Sequence, residues 1–184
     1  MQRFSNLSQS ELALVKATHK VKIFDSPYEV IFKSTANTAK DIFQAPIALI
    51  SFINLDSKWF KPSVGLDGMD EMPIELAFCW QTVNTEGVFC VADASQDKRF
   101  KDNPLVKGEP YIKFFAGAAI TLPMGEKVGS ICVIDTVPNH LYDYKRSALI
   151  GLAKNLSHLL TLREIHSRTA IDKENFALAF KILY

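Results

Sequence analysis

The chain has 184 residues, a length that suits one domain with an ordinary core. Twenty-one Lys and Arg residues against 20 Asp and Glu residues give a net charge of +1, with no run of five like charges, which argues against nucleic acid as a partner. The start has no signal-peptide pattern, and no apolar stretch approaches the roughly 20 residues of a membrane span. We therefore expect a soluble, cytoplasmic protein with no membrane partner.

Two helices are predicted before the first strand. Ser8–Glu11 fits a capping box, so a short helix is expected to run to about Thr18. Ser26 provides a second N-cap and is followed by a proline at the first helical position. The apolar residues that follow recur at helical spacing, so this second helix is expected to end before Pro46.

Beyond Pro46 the β-prone residues predominate. A near-continuous apolar run to Ile53 predicts a buried strand, and the segment that follows it closely predicts a hairpin. The later predicted elements are a helix over 75–84, a strand over 88–92, a long polar loop over 93–110, strands over 113–122 and 127–136, a long helix from Asp143, and a short tail helix over 175–183. Because hairpins dominate, the pattern predicts an α+β fold with an antiparallel sheet.

Several segments, in order and in register, resemble the GAF domains of bacterial sensor kinases and diguanylate cyclases. They are residues 46–56 (PIALISFINLD), 59–61 (WFK) with 64–66 (VGL), 78–79 (FC), 91–94 (VADA), 97–106 (DKRFKDNPLV), 114–117 (FFAG) and 129–135 (GSICVID). The resemblance implies a PAS-related sheet of five or six strands in the order 2-1-5-4-3, with the N- and C-terminal helices packed on one face. It also implies a single domain over 1–184, with a core of about 22–160 and a C-terminal helical extension over 161–184.

In such domains a ligand pocket lies on the other face of the sheet, under the helix around Cys79 and the loop after Val91. The candidate ligand-binding residues that the resemblance places there are Trp59, Phe78, Cys79, Trp80, Asp93, Arg99, Phe100, Asp102, Asn103, Tyr111 and Phe115. Arg99 is the residue type that grips an anionic group with two donors. The same polar residues also suit a network that only holds the loop closed, and the aromatic residues also suit simple filling of the space.

No catalytic residue and no metal ligand is predicted. One branch of the family, the free methionine sulfoxide reductases, uses cysteines in the pocket loops, but no cysteine lies between Cys90 and Cys132. These two and Cys79 are flanked by apolar residues and predict buried free thiols. None of the four histidines lies beside a cysteine or at a metal-ligand spacing, so neither a bilin, a haem nor a metal is expected. The polar signature of cyclic nucleotide binding is not matched.

The sequence therefore predicts a stand-alone sensory or regulatory domain that binds a small molecule of unknown identity, signals to a partner protein and is not an enzyme. A different class of function is a dimerisation or scaffold domain whose pocket is empty or filled by its own side chains. A methionine sulfoxide reductase-like enzyme is a third and remote alternative. Leucines recur at 3-4-3 spacing from Leu149 to Leu159, which is short for an independent coiled coil. The resemblance implies that the terminal helices form a homodimer.

Overall fold

The computed structural model describes residues 29–53, 58–60, 63–65, 71–73 and 78–183, with side chains described over 29–52, 64–65 and 78–166. The predicted helix over 8–18 lies outside these residues. The helices are α1 (Glu29–Phe43), α2 (Phe78–Val83), α3 (Pro104–Lys107) and α4 (Asp143–Leu183). The strands are β1 (Ile47–Ile53), β2 (Lys58–Phe60), β3 (Ser63–Val64), β4 (Glu71–Pro73), β5 (Val88–Val91), β6 (Phe114–Thr121) and β7 (Lys127–Asp135).

The sheet is antiparallel and has seven strands among the described residues, so the predicted count of five or six is wrong. Its order is β4-β2-β1-β7-β6-β5, with β3 paired to β1. The prediction counted 58–65 as one strand, whereas β2 and β3 form two separate pairings with β1. The α+β class with an antiparallel sheet is confirmed.

Helices α1 and α4 pack on one face of the sheet. In α1 the buried residues are Phe32, Ala36, Ala39 and Phe43, which recur at the spacing of one helix face. They join the buried residues of α4, namely Leu149, Ala153, Leu156 and Leu160, and one side of the central strands in a single apolar core. This sheet–helix core fixes the position of α4 relative to the strands.

The opposite face of the sheet carries a second core under α2 and the segment after β5. Neighbouring strand residues point to opposite faces, so Phe114 enters the sheet–helix core while Phe115 enters this second core. Both side chains are fully or almost fully buried. The strand therefore contributes one large aromatic ring to each face.

Helix α4 is a single helix of 41 residues. The predicted break before a separate tail helix at 175–183 is wrong, because the helix continues through this segment to Leu183. At about 1.5 Å per residue it is about 60 Å long. Among the α4 residues whose side chains are described, those that belong to the sheet–helix core lie in its first five turns.

Candidate functional site

Four phenylalanine side chains form the centre of the predicted site. Phe78 stacks on Phe100 with ring centroids 4.2 Å apart and on Phe115 at 5.1 Å. Phe89 packs against the last two of these rings at 6.0 and 5.9 Å. All four are buried, and together they form what we call the aromatic cluster. Their spacing is that of rings in direct contact, so they fill the space between α2, β5, β6 and the loop after β5.

Most polar groups of the loop bond to other groups of the same loop. The Asp93 carboxylate accepts from the Ser95 backbone N–H at 3.0 Å and from its hydroxyl at 2.6 Å. Asp97 accepts two hydrogen bonds from the Arg99 guanidinium, at 2.9 and 2.6 Å. This forked hydrogen bond from Arg99 holds the pKa of the Asp97 carboxyl below its ordinary value. The same guanidinium lies over the rings of Phe89 and Phe100, 5.2 and 5.1 Å from their centroids.

The later part of the loop contains a helix that the sequence prediction missed. Asn103 caps α3, its side chain accepting from the Leu105 backbone N–H at 2.9 Å, and Pro104 is the first helical residue. The exposed side chains of Asp102 and Lys107 form an ion pair at 2.7 Å. The hydrogen bond from Lys107 lowers the pKa of the Asp102 carboxyl. These contacts order the loop and use the polar groups that were candidates for a ligand.

The structure brings some of the predicted residues together and separates others. Phe78, Phe100 and Phe115 form the aromatic cluster, with Arg99 above two of its rings and Trp80 half-buried beside the second core. Asp102 is exposed, and so is Tyr111, at 52%. Trp59 lies in β2 opposite Ile53, and its side chain is outside the described part of the chain.

A buried line of polar side chains behind α2 was not predicted. The sulfur of Cys79 lies 3.6 Å from that of Cys132, which in turn lies 3.3 Å from the Ser130 hydroxyl. Ser130 is 2.9 Å from the hydroxyl of Ser51 on the neighbouring strand. These residues are buried, and all three cysteines of the chain are free thiols. Sequence reasoning missed the line because its members lie on three elements far apart in the chain.

An open groove of about 620 Å³ lies on the face of the sheet that α4 covers, between α4 and the C-terminal end of β6. We call it the α4 groove. Its lining includes Gly87, Thr121, Lys127, Lys154, Ser157 and His158. Lys154 and His158 are exposed, while Lys127 is held by the Thr85 carbonyl at 3.1 Å and by Glu86 at 3.5 Å. No sequence signal pointed here, because the residues come from separate segments and read as ordinary surface positions.

Helix α4 is hydrogen-bonded to strands β5 and β6. The Ser157 hydroxyl accepts from the Thr121 backbone N–H at 3.1 Å, and Arg146 donates to the Val88 carbonyl at 3.5 Å. Lys145 donates to the Phe43 carbonyl of α1 at 2.8 Å. Hydrogen bonds as well as packing therefore link α4 to β5 and β6.

Two features are absent from the described residues. Among them no three or more His, Cys, Asp or Glu side chains are grouped in a way that would hold a metal ion. In the same part of the chain, no helix has the length and apolarity that crossing a membrane requires.

Comparison with known proteins shows the class of the fold. A GAF domain of a phosphoenolpyruvate-protein phosphotransferase from Acinetobacter superposes with a TM-score of 0.63 at 16% identity, over 89% of this chain and 97% of that one. A type II free methionine-R-sulfoxide reductase from Thermoplasma acidophilum superposes with a TM-score of 0.57 at 12% identity, over 83% and 95%. The chain has the fold of a GAF domain.

One curated relative is closer in sequence. A cyclic di-GMP phosphodiesterase of Pseudomonas aeruginosa is 45% identical over 108 residues, which are 59% of this chain and 18% of the relative. The chain thus spans less than a fifth of that protein's length. No family model matches the chain.

Proposed function

We propose that this chain is a sensory domain of the GAF type that binds a small anionic molecule in the α4 groove and passes the signal along α4. The observation that carries the proposal is the position of the groove: its lining includes both Ser157 of α4 and Thr121 of β6, which are hydrogen-bonded to each other. A ligand there contacts sheet and helix at once. A molecule that fits one relative position of the two better than another shifts the population toward that position.

The charge of the lining supports an anionic ligand. Lys154 contributes an exposed cationic group and His158 an imidazole, whereas Lys127 is paired with Glu86, whose side chain is almost fully exposed. Ile150 and Ala153 supply apolar surface in the same groove. A molecule with an acidic group and an aliphatic or aromatic part matches both features, because small-molecule sites combine apolar walls with a few placed polar groups.

The site that the sequence predicts around α2 is less suited to a ligand than the α4 groove. Its aromatic rings are in contact with one another, and its Asp97–Arg99 pair and Asn103 cap are bonded within the loop. A ligand at Phe78, Phe100 and Phe115 would need those rings to separate. We therefore place the ligand beside α4 and assign the loop residues Asp93, Arg99 and Asp102 to holding the loop.

A thermal-shift screen tests the groove. Nucleotides, amino acids and small organic acids are added to the purified chain, and we expect an acid-bearing compound to raise the melting temperature. For that compound, Lys154→Ala is expected to raise Kd by about tenfold, because a hydrogen bond to a charged group contributes about 1.5–3 kcal/mol. Lys98→Ala removes an exposed lysine of the loop after β5 and is the matched control.

The two variants distinguish the groove from a general charge effect. Lys98→Ala is expected to bind like the wild type. If no compound in the screen shifts the melting temperature, or if both lysine variants bind as tightly as the wild type, the α4 groove is not the ligand site.

The output that we propose is control of cyclic di-GMP turnover by a partner domain or protein. The support is the similarity to a segment of a cyclic di-GMP phosphodiesterase, of which this chain covers 18%. The chain itself is proposed not to be an enzyme, since its Cys79 and Cys132 are buried. A thiol that turns over a substrate is ionised and in contact with that substrate in the closed fold, whereas burial raises the pKa of the Cys132 thiol well above its ordinary value.

A dimerisation or scaffold role is the second candidate, and two observations favour it. The aromatic cluster fills its own site, and apolar side chains are exposed on the helices. On α1 these are Val30 and Ile31, at 77% and 42% exposure, and on α4 they are Leu162 and Ile165, at 66% and 56%. Apolar side chains left in water on a helix that extends past its own core mark an interface. We propose that this interface joins two copies of the chain.

Light scattering during gel filtration tests the dimer. The wild type is expected to run at twice the chain mass, and Leu162→Glu with Ile165→Glu is expected to run as a monomer, because two buried charges oppose association. Met124→Glu, at a position 83% exposed in the β6–β7 turn, is the control and is expected to remain dimeric. A wild type that is monomeric at micromolar concentration would contradict the proposed interface.

A further inference from the structure

We propose that Cys79 and Cys132 are a modification site that closes reversibly to an intramolecular disulfide when a low-molecular-weight disulfide is present as oxidant. The observation that carries this is the distance between the two sulfur atoms, 3.6 Å, across the contact between α2 and β7. A disulfide bond is about 2.05 Å long, so each sulfur needs to move by less than about 1 Å.

The sheet makes room for this contact. Gly117 lies beside Cys132 in the strand pairing, and a Cβ there would be 2.9 Å from the Cys132 sulfur and 2.6 Å from the Thr82 hydroxyl oxygen. Glycine at this position therefore lets α2 approach the sheet closely enough for the two thiols to touch. Any larger residue would push the helix, and with it Cys79, away from Cys132.

The two thiols have different roles in the exchange. Cys79 retains 7% exposure, whereas Cys132 has none, so the oxidant meets Cys79 first. The Cys79 thiolate attacks one sulfur of the oxidant disulfide, forms a mixed disulfide and releases one thiolate. Cys132 then gives its proton to the first released thiolate and attacks the Cys79 sulfur, which breaks the mixed disulfide and releases the second thiolate. Two protein thiols are thereby oxidised and one small disulfide is reduced to two thiols.

The Ser130 hydroxyl is placed to assist the second step. It lies 3.3 Å from the Cys132 sulfur, and a hydroxyl donor stabilises a thiolate formed there. Burial and the neighbouring Cys79 raise the pKa of the Cys132 thiol, so the step depends on a brief opening of α2. Helix α2 has six residues, so few backbone hydrogen bonds have to break for this opening.

The product ties α2 to β7 beneath the aromatic cluster. The cross-link joins residues 53 positions apart and restricts the unfolded chain, so it stabilises the fold. Phe78 precedes Cys79 in the same helix, so its ring would lose the freedom to leave its stack with Phe100 and Phe115. This inference does not depend on the ligand proposed for the α4 groove.

Cys90 provides a control within the same chain. It lies on β5, is half-buried and packs against the sheet–helix core, which is the opposite face of the sheet from Cys132. Burial raises the pKa of its thiol as well, so Cys90 shares a raised pKa with Cys132 but lies on the other face of the sheet from the two paired sulfur atoms.

The test is oxidation of the purified chain with oxidised glutathione, followed by thiol labelling in denaturant and peptide mass mapping. We expect two of the three thiols to disappear, the mass to fall by about 2 Da and one cross-linked peptide pair to contain residues 79 and 132. The melting temperature is expected to rise by several degrees and to return on reduction. Cys90→Ser should behave like the wild type, while Cys79→Ser and Cys132→Ser should lose the cross-link and the shift.

Peptide mapping of the wild type decides the question even if a buried cysteine variant does not fold. A cross-link that contains Cys90, or a glutathione adduct on Cys79 that persists without loss of a second thiol, would overturn the proposal. So would three unreacted thiols in the folded chain under an oxidant that cross-links the same chain in denaturant.

Discussion

Replacing Gly129 by alanine is expected to destabilise the fold by about 3 kcal/mol or to prevent folding. Gly129 pairs with Phe52 on β1 and with Ile120 on β6, so it lies in the middle of the sheet. A Cβ at this position would be 2.2 Å from the Ser51 carbonyl oxygen and 2.7 Å from a ring carbon of Phe52. The first of these atoms belongs to the backbone of a paired strand and cannot move without breaking the β1–β7 pairing.

Gly151→Ala is the matched control. Gly151 lies inside α4, and a Cβ there meets no atom within 4 Å. Alanine is favoured over glycine in a helix interior by about 0.5–1 kcal/mol, so this variant should be slightly more stable than the wild type. Urea denaturation of both variants measures the difference. A Gly129→Ala chain within about 0.5 kcal/mol of the wild type would show that the close approach of β7 to β1 is wrong.

Phe115→Ala is the second large effect, with an expected loss of about 3–5 kcal/mol in the free energy of unfolding. Phe115 has no exposed surface, and its ring contacts those of Phe78 and Phe89. Truncation leaves a cavity that α2 and β5 cannot close without shifting along the sheet. The size of this loss in the free energy of unfolding shows whether the aromatic cluster is a packed core or the wall of a ligand pocket.

Denaturation with Met124→Ala as a control gives that answer, because Met124 is 83% exposed and its truncation should change stability by less than about 0.5 kcal/mol. A loss of under about 1 kcal/mol for Phe115→Ala would mean that the ring is not tightly packed. In that case the predicted site around Phe78 and Phe100, and not the α4 groove, would be the favoured ligand site.

Local signals in the sequence accounted for several elements. Helix α1 follows from helical apolar spacing, and it ends at Phe43, three residues before Pro46, while the predicted cap at Ser26 lies outside the described residues. The β6–β7 hairpin follows from two β-prone runs joined by a turn with Gly125, which has a φ of +89°. The α+β class then followed from the order of these elements.

The sequence prediction failed where local signals were weak or non-local. Helix α3 has four residues, too few for an apolar period, although Asn103 and Pro104 are residues typical of a helix start. The tail of α4 was separated from its beginning because the leucine spacing ends near Arg163, yet a helix continues wherever nothing interrupts its backbone bonds.

The candidate site could be predicted only in part. That Phe78, Phe100 and Phe115 meet follows from the family resemblance, but whether they leave space between them depends on ring distances that no pattern in the sequence encodes. The α4 groove is still harder to predict from the sequence, because Lys127 and His158 come together only when the β6–β7 hairpin and α4 are in place.

The central claim, that a ligand acts on α4 from the α4 groove, is tested most directly by hydrogen exchange with and without the compound that stabilises the chain most in the thermal-shift screen. We predict slower exchange at 118–121 and 150–161, where the groove residues of β6 and α4 lie. Slower exchange confined to 78–115, around α2 and the loop after β5, would contradict the claim.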